Sequence, residues 1–219
     1  MQQQPIKVAL ADDHVLLRHA LASLIDNSGN CKVILQASNG LELCKALSKE
    51  NLPDVIILDM NMPEMDGRET ALWLQANFPQ VRVLMLTMYD SELALIRLLQ
   101  AGVKGFMKKD IHPTELLHAL HSVMDSGYYY SAHTSSKLAS LFRESLDNSH
   151  TLQKVTLSDE EVDFLKLVCT EMTYKEIAHK LKLNPRAIDG IRDVLFNRLD
   201  VKSRIGLAMY AIRHGLVTF

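Results

Sequence analysis

Five polar residues in the first half of the chain follow short apolar runs, and their types suit phosphoryl chemistry. Asp12 and Asp13 come directly after Ile6–Ala11, and Asp59 closes the run Asp54–Asp59. Thr87 follows Val81–Leu86, and Lys109 comes just after Val103–Met107. Three carboxylates brought together repel one another. At about 4 Å and an effective dielectric of about 20, each ionised pair costs roughly 4 kcal/mol. Such a cluster calls for a divalent cation. All-oxygen ligation by few protein groups suits Mg²⁺, which keeps several waters and accepts phosphate oxygens. One carboxylate can then attack phosphorus, since an aspartyl phosphate is a known type of covalent intermediate. The cation, Lys109 and the Thr87 hydroxyl would hold the phosphoryl oxygens.

These residues meet only if the apolar runs lie side by side and point the same way. The runs Ile6–Ala11, Cys31–Ala37, Asp54–Asp59, Val81–Leu86 and Val103–Met107 have strand length. Between them, Val15–Ile25, Gly40–Lys49, Gly67–Asn77, Glu92–Gln100 and Thr114–Met124 repeat apolar residues at steps of three and four, as helices do. Five strands alternating with five helices predict βαβ units, hence an α/β domain with a doubly wound five-stranded parallel sheet covered on both faces. All five polar residues then stand at the carboxyl edge of the sheet, where ligands bind in open α/β folds. Met62-Pro63 breaks the third strand into a loop, and Gly67 supplies a turn before the next helix. Trp73, between Leu72 and Leu74, reads as a packing residue.

From Ser126 the pattern changes. Gly127-Tyr-Tyr-Tyr-Ser131 leads into a helical stretch at Thr134–Leu146, and Asp147–Leu157 is polar without a clear period. Residues 127–154 therefore read as a linker, part helical and part flexible, between a domain at 1–126 and another at 155–219. The last segment reads as a small all-α domain. Ser158-Asp-Glu-Glu161 and Thr173-Tyr-Lys-Glu176 have capping-box form. Asn184-Pro185 is a third helix start, and Ser203–His214 is a fourth helix with Gly215 just past its end. The expected helices are 158–170, 173–182, 185–198 and 203–214.

Charge divides along the same line. Residues 1–130 carry 11 basic and 15 acidic groups, whereas residues 175–213 carry nine basic and four acidic. The whole chain of 219 residues has a formal charge of −2, so it is no bulk polycation, and 47% hydrophobic residues place it among globular proteins rather than disordered or collagenous chains. Cys31, Cys44 and Cys169 form no CxxC pair and read as reduced thiols. No uncharged apolar run approaches the roughly 18 residues of a membrane span, and the N-terminal segment lacks signal-peptide form; the expectation is a cytoplasmic protein without membrane contact. His14, His19, His112, His118 and His121 read as surface or packing residues, although His14 directly follows the acidic pair and is placed to line the pocket.

Residues 6–126 resemble the receiver domain of two-component response regulators, on ALADDH (9–14), DVIILDMNMPEMDG (54–67), MLTMYD (85–90) and GFMKKD (105–110). The resemblance implies a flavodoxin-like fold and Asp59 as the phosphoacceptor. Asp12, Asp13 and Asp59, with the Asn61 backbone carbonyl, would hold Mg²⁺. Thr87 and Phe106 match the switch hydroxyl and switch aromatic of the family. Lys109 is preferred to Lys108 as its lysine because it directly precedes Asp110. Asn61 and Tyr89 match positions that tune the phosphoryl lifetime.

Residues 157–217 resemble the LuxR-type helix-turn-helix domain, on LSDEEVDFLKLV (157–168), TYKEIAHKL (173–181) and LDVKSRIGLAMYAIRHGLV (199–217). The two resemblances together imply a NarL/FixJ response regulator. It would take a phosphoryl group from a sensor histidine kinase, bind double-stranded DNA and pair as a homodimer when active. It would catalyse only its own phosphorylation and slow dephosphorylation. In a helix-turn-helix, 173–182 would cross the backbone and 185–198 would enter the major groove. Arg186 and Arg192 are the expected groove contacts, with Lys175, Lys182, Lys202 and Arg204 on the DNA backbone. The recognition segment departs from the family pattern, since Ala187, Asp189 and Ile191 stand where threonine, lysine and histidine are common. That departure motivates an alternative: a phosphorylation-dependent protein-interaction module with weak or no sequence-specific DNA binding. A metal-dependent phosphatase is disfavoured, because no general base or substrate cleft is evident in the sequence.

Overall fold

A computed structural model describes residues 4–88, 92–147, 157–214 and 216–217. The chain divides into two compact units, one of Met1–Asp90 and Arg97–Lys137 and the other of Ser91–Ile96 and Leu138–Phe219, so the last changeover falls inside the segment expected to be a linker. Tyr89, Gly215 and most of the expected flexible stretch, 148–156, lie outside the described residues.

The first unit is built on the strands β1 (Ile6–Ala11), β2 (Cys31–Ala37), β3 (Val55–Asp59), β4 (Arg82–Thr87) and β5 (Gly105–Lys108). They alternate with α1 (Val15–Asn27), α2 (Gly40–Ala46), α3 (Gly67–Asn77), α4 (Glu92–Gln100) and α5 (Pro113–Ser126). The sheet continues into a sixth strand, β6 (Tyr129–Tyr130), giving the order β2-β1-β3-β4-β5-β6, with every pairing parallel. The expected five-stranded sheet is thus corrected to six strands. A two-residue strand is too short to show a period. It is held by the Tyr129 N–H on Lys104 O at 2.9 Å and the Tyr129 hydroxyl on Glu115 Oε1 at 2.7 Å. Gly105 makes room for it, because a Cβ there would stand 2.5 Å from the Tyr129 carbonyl oxygen.

Alternation along each strand sends side chains to two faces. Val8, Leu10, Val55, Ile57, Leu84, Leu86 and Met107 form one core with Ile25 of α1 and Leu116, Leu120 and Val123 of α5. Ala9, Ile56, Leu58 and Met85 are also buried, so the second face is covered as well. Because β1 lies between β2 and β3, chain connections leave β1 in opposite directions, and a crevice opens at the carboxyl ends of β1 and β3.

The second unit is helical. A helix α6 (Ala132–Asp147) leads into it, and its core is built by α7 (Asp159–Val168), α8 (Tyr174–Lys180), α9 (Pro185–Arg198) and α10 (Arg204–Arg213). Ser158 and Thr173 form complete capping boxes with Glu161 and Glu176. The Asn184 side chain accepts from the Ala187 N–H, and Ser203 caps α10 through the Gly206 N–H. Phe164, Leu165, Ile177, Ile188, Leu195, Leu207 and Ala211 form the buried centre. Among the described residues no helix is long and apolar enough to cross a membrane.

Candidate functional site

The first site forms at the β1/β3 crevice. Strand β1 ends at Ala11, which pairs with Leu58, so Asp12 emerges beside Asp59, the last residue of β3. Both carboxylates are buried, at 2% and 1% exposure. Asp13 stands at the rim with 38% of its side chain exposed. The ligand atoms of Asp12, Asp13, His14 and Asp59 lie within 4.8 Å of one another.

Lys109 closes the group from the far side. It follows β5, and its N–H donates to Thr87 O at 3.2 Å, which carries its side chain back over the sheet edge. Its Nζ lies 2.8 Å from Asp59 Oδ2 and 3.0 Å from Asp12 Oδ2. Lys108, the last residue of β5, is exposed. Apart from this ion pair, neither buried Oδ2 has a hydrogen-bond partner among the described residues. One ammonium against three carboxylates leaves an excess of two negative charges, which matches one divalent cation. An oxygen-rich donor set with two underused buried oxygens fits Mg²⁺.

Burial pushes the Asp59 carboxyl up to about 6; the nearby Asp12 charge adds to this, while Lys109 and the Asn61 N–H oppose it. For Lys109, desolvation disfavours the ammonium, but its bonds to Asp59 and Asp12 outweigh that and raise its pKa overall. In a low-dielectric site a largely desolvated cation of this kind acts strongly on any anion that arrives.

The remaining expected residues take graded positions. Thr87 is buried at the end of β4, in register with Lys108. Phe106 is buried and stacks on Tyr130 at 5.7 Å between ring centroids. Tyr130 in turn stacks on Tyr128 at 5.8 Å. Asn61 bonds the Asp59 carboxylate through its N–H. His14 reads from the sequence as a surface or packing residue, with the pocket as the alternative; the structure leaves its side chain 67% exposed and puts its Nδ1 2.8 Å from Asp13 Oδ1 and 3.1 Å from Asp12 Oδ1. Its adjacency to the acidic pair was the available signal. The backbone of the site is set by Gly67: its N–H donates to Met60 O at 2.9 Å, and a Cβ there would fall 2.2 Å from the Asp59 carbonyl oxygen.

In the helical unit, α8, a turn with Lys182 at φ 56°, and α9 form a helix-turn-helix. Lys175, Lys182, Arg186 and Lys202 are exposed, as DNA-backbone or groove contacts require. Arg192 and Arg204 have partners inside the fold. Arg192 Nη1 donates to Asp189 Oδ1 at 2.7 Å, and Nε and Nη2 donate to Asp193 Oδ1 at 2.9 and 2.8 Å. Its guanidinium also lies over the Tyr174 ring at 5.5 Å. Arg204 donates to Val168 O at 3.2 Å and Thr170 O at 2.7 Å, so it caps the end of α7, and it too lies over Tyr174, at 5.4 Å. Tyr174 was missed in the sequence, where an aromatic on a short helix carries no mark of two cationic neighbours.

Comparison with known proteins agrees with both units. The family model of the response regulator receiver domain matches residues 8–121. The response regulator GacA of Pseudomonas aeruginosa is 30% identical over 212 residues, covering 97% of this chain and 98% of GacA. The oxygen regulatory protein NreC of Staphylococcus haemolyticus is 29% identical over 218 residues, covering 98% of this chain and all of NreC. In fold, the chain resembles RcsB from Salmonella enterica serovar Typhimurium, solved bound to promoter rprA in the presence of the phosphomimetic BeF₃⁻. That match has a TM-score of 0.69 at 23% identity and covers 94% of this chain and 98% of RcsB. The acid cluster at the β1/β3 crevice, the receiver match and the full-length relatives converge: this chain belongs to the response regulator family, with a receiver domain followed by a helical unit that holds a helix-turn-helix.

Proposed function

We propose that this chain is a two-component response regulator that accepts a phosphoryl group on Asp59 and regulates transcription by binding double-stranded DNA. The observation that carries the reading is the Asp12–Asp59–Lys109 group, which sets a buried carboxylate beside an ammonium whose side chain is 10% exposed. A carboxylate oxygen of Asp59 attacks phosphorus of a phosphohistidine on a sensor kinase; the P–N bond breaks and the imidazole leaves. Lys109 attracts the phosphoryl oxygens, and the Thr87 hydroxyl binds one of them. Asp12, Asp13, Asp59 and the Asn61 carbonyl would hold Mg²⁺, which supplies charge neutralisation for the incoming phosphoryl group. The chain's own catalysis is limited to this transfer and the slow loss of the group.

Phosphorylation shifts a population only by favouring one state over another. Thr87 and the stacked Phe106 are the residues through which the receiver would respond. The active form is a homodimer, for which α10 offers the exposed pair Ile205 and Met209, 75% and 51% accessible and one turn apart. Two copies would place their recognition helices on half-sites about 34 Å apart. Lys175, Lys182, Arg186 and Lys202 supply the cationic frame on each. The protein works in the cytoplasm, where its kinase presents phosphohistidine.

A second reading has a specific basis. Asp189 and Asp193 are exposed on α9, the helix that should meet an anionic polymer. On that reading the helical domain contacts a protein. Salt dependence separates the two, since the logarithm of DNA affinity falls with log salt by about 0.9 per neutralised phosphate. A slope of several units supports the DNA reading; a flat one supports the protein reading.

A further inference from the structure

The exposed face of α9 is unusual in having more acid than base. Arg186, Asp189, Gly190, Asp193 and Asn197 recur at helical spacing and are all exposed, so one stripe carries two carboxylates and one guanidinium. A second arginine of the helix, Arg192, is not part of that stripe, and 26% of its side chain is exposed. It holds Oδ1 of both aspartates from the side, and its ring contacts to Tyr174 and Phe196 fix it there. Each carboxylate is thereby held in one orientation with its second oxygen available as an acceptor. A carboxylate presented this way in a major groove accepts from a base amino group, and cytosine N4 suits it better than adenine N6, because the N7 acceptor beside adenine N6 repels a group that can only accept.

Gly190 adds an independent observation. A Cβ at this position would meet nothing within 4 Å, so the fold itself gives no steric reason for glycine. Glycine inside a helix is nevertheless unfavourable relative to alanine. Its place in the exposed stripe, one residue after Asp189, is where a close approach of an external surface to the helix backbone would call for glycine.

Resting on the DNA-binding reading above, we propose that Asp189 is a specificity-determining residue that accepts a hydrogen bond from a cytosine N4 amino group. Arg192 is its positioning residue, and Gly190 lets the helix seat closely in the groove. The carboxylate-for-lysine exchange then alters which base is preferred, and the exposed lysines around the helix provide the attraction to phosphate.

The test is selection of binding sites from random duplexes with the full-length chain, Mg²⁺ and acetyl phosphate. The wild type should select cytosine at one fixed position of each half-site. Asp189→Ala should lose that preference, on the order of tenfold, while the other positions persist. Asp189→Asn should move the preference at that position from cytosine to adenine, because an amide pairs with adenine N6 and N7. Arg192→Ala should weaken the same position and no other; a change at a different position would make Arg192 a reader in its own right and overturn its assignment. Gly190→Ala should raise the thermal midpoint yet weaken binding to every sequence. The proposal is overturned if the wild type selects a site and both Asp189 variants select the same one. Failure of the wild type to select any site, with Asp59 phosphorylation confirmed, refutes the DNA-binding reading itself and this inference with it.

Discussion

The ammonium of Lys109 sits 2.8 Å from Asp59 Oδ2 and 3.0 Å from Asp12 Oδ2, bridging the acid that ends β3 and the one that follows β1. Its neighbour Lys108 is exposed, so only one of two adjacent lysines serves the crevice. Lys109→Ala should therefore lower the rate of phosphoryl transfer from acetyl phosphate by about 10²–10³-fold, the usual loss for one preorganised charge. Lys108→Ala should leave that rate within about twofold, as expected for a side chain outside the reacting group. Stopped-time labelling of both variants checks this, and equal losses in the two would remove the distinction drawn between them.

The raised pKa of Asp59 makes a pH-dependent stability prediction for the metal-free protein. The group titrates at about 6 in the fold against 3.8 when unperturbed, so the folded state binds the extra proton between those values. Stability from this group is then lost as pH rises from about 4 to about 6 and stays lost above it. Asp59→Asn keeps the site uncharged, so at pH 7 it should be more stable than the wild type, by an amount on the order of 2 kcal/mol. At pH 4 the advantage should vanish. Thermal melts in chelator at the two pH values test this; a variant less stable than the wild type at pH 7 would contradict it. Added Mg²⁺ should raise the midpoint of the wild type and have a much smaller effect on the variant.

Gly67 supports Asp59, the proposed phosphoacceptor, from behind. Because a Cβ would approach the Asp59 carbonyl to 2.2 Å and Met60 Cα to 2.9 Å, Gly67→Ala must push the end of β3 or the start of α3 aside. Overpacking of this kind costs roughly 1–3 kcal/mol. Denaturant melts should show that loss together with slower phosphorylation, as Asp59 moves relative to Lys109. Unchanged stability would mean that the β3–α3 corner is looser than its contacts imply.

Most of this arrangement was legible in the sequence, and the reasons are local. The strands and helices of the first unit carry strong periodicities, and α9 begins where Asn184-Pro185 announces a cap and a first turn. Asp12 and Asp59 could be brought together on paper because parallel strands share an edge. Strand β6 was not legible, since two tyrosines hold no period and their pairing depends on α5 returning the chain past Gly105. The basic residues of the helical unit were counted correctly as charge but not as partners. Asp189 lies three residues before Arg192, so that pair was within reach of helical spacing. Arg204 on the Val168 carbonyl spans 36 residues and depends on the packing of α7 against α10, which no local pattern encodes.

The account rests most heavily on Asp59 as the acceptor. The direct measurement is mass-spectrometric mapping of the full-length chain after reaction with acetyl phosphate and Mg²⁺, beside Asp59→Asn. The structure predicts one phosphoryl group, on the peptide containing Asp59, and none on the variant. A phosphoryl group on Asp12 or Asp13, or undiminished labelling of the variant, would contradict it.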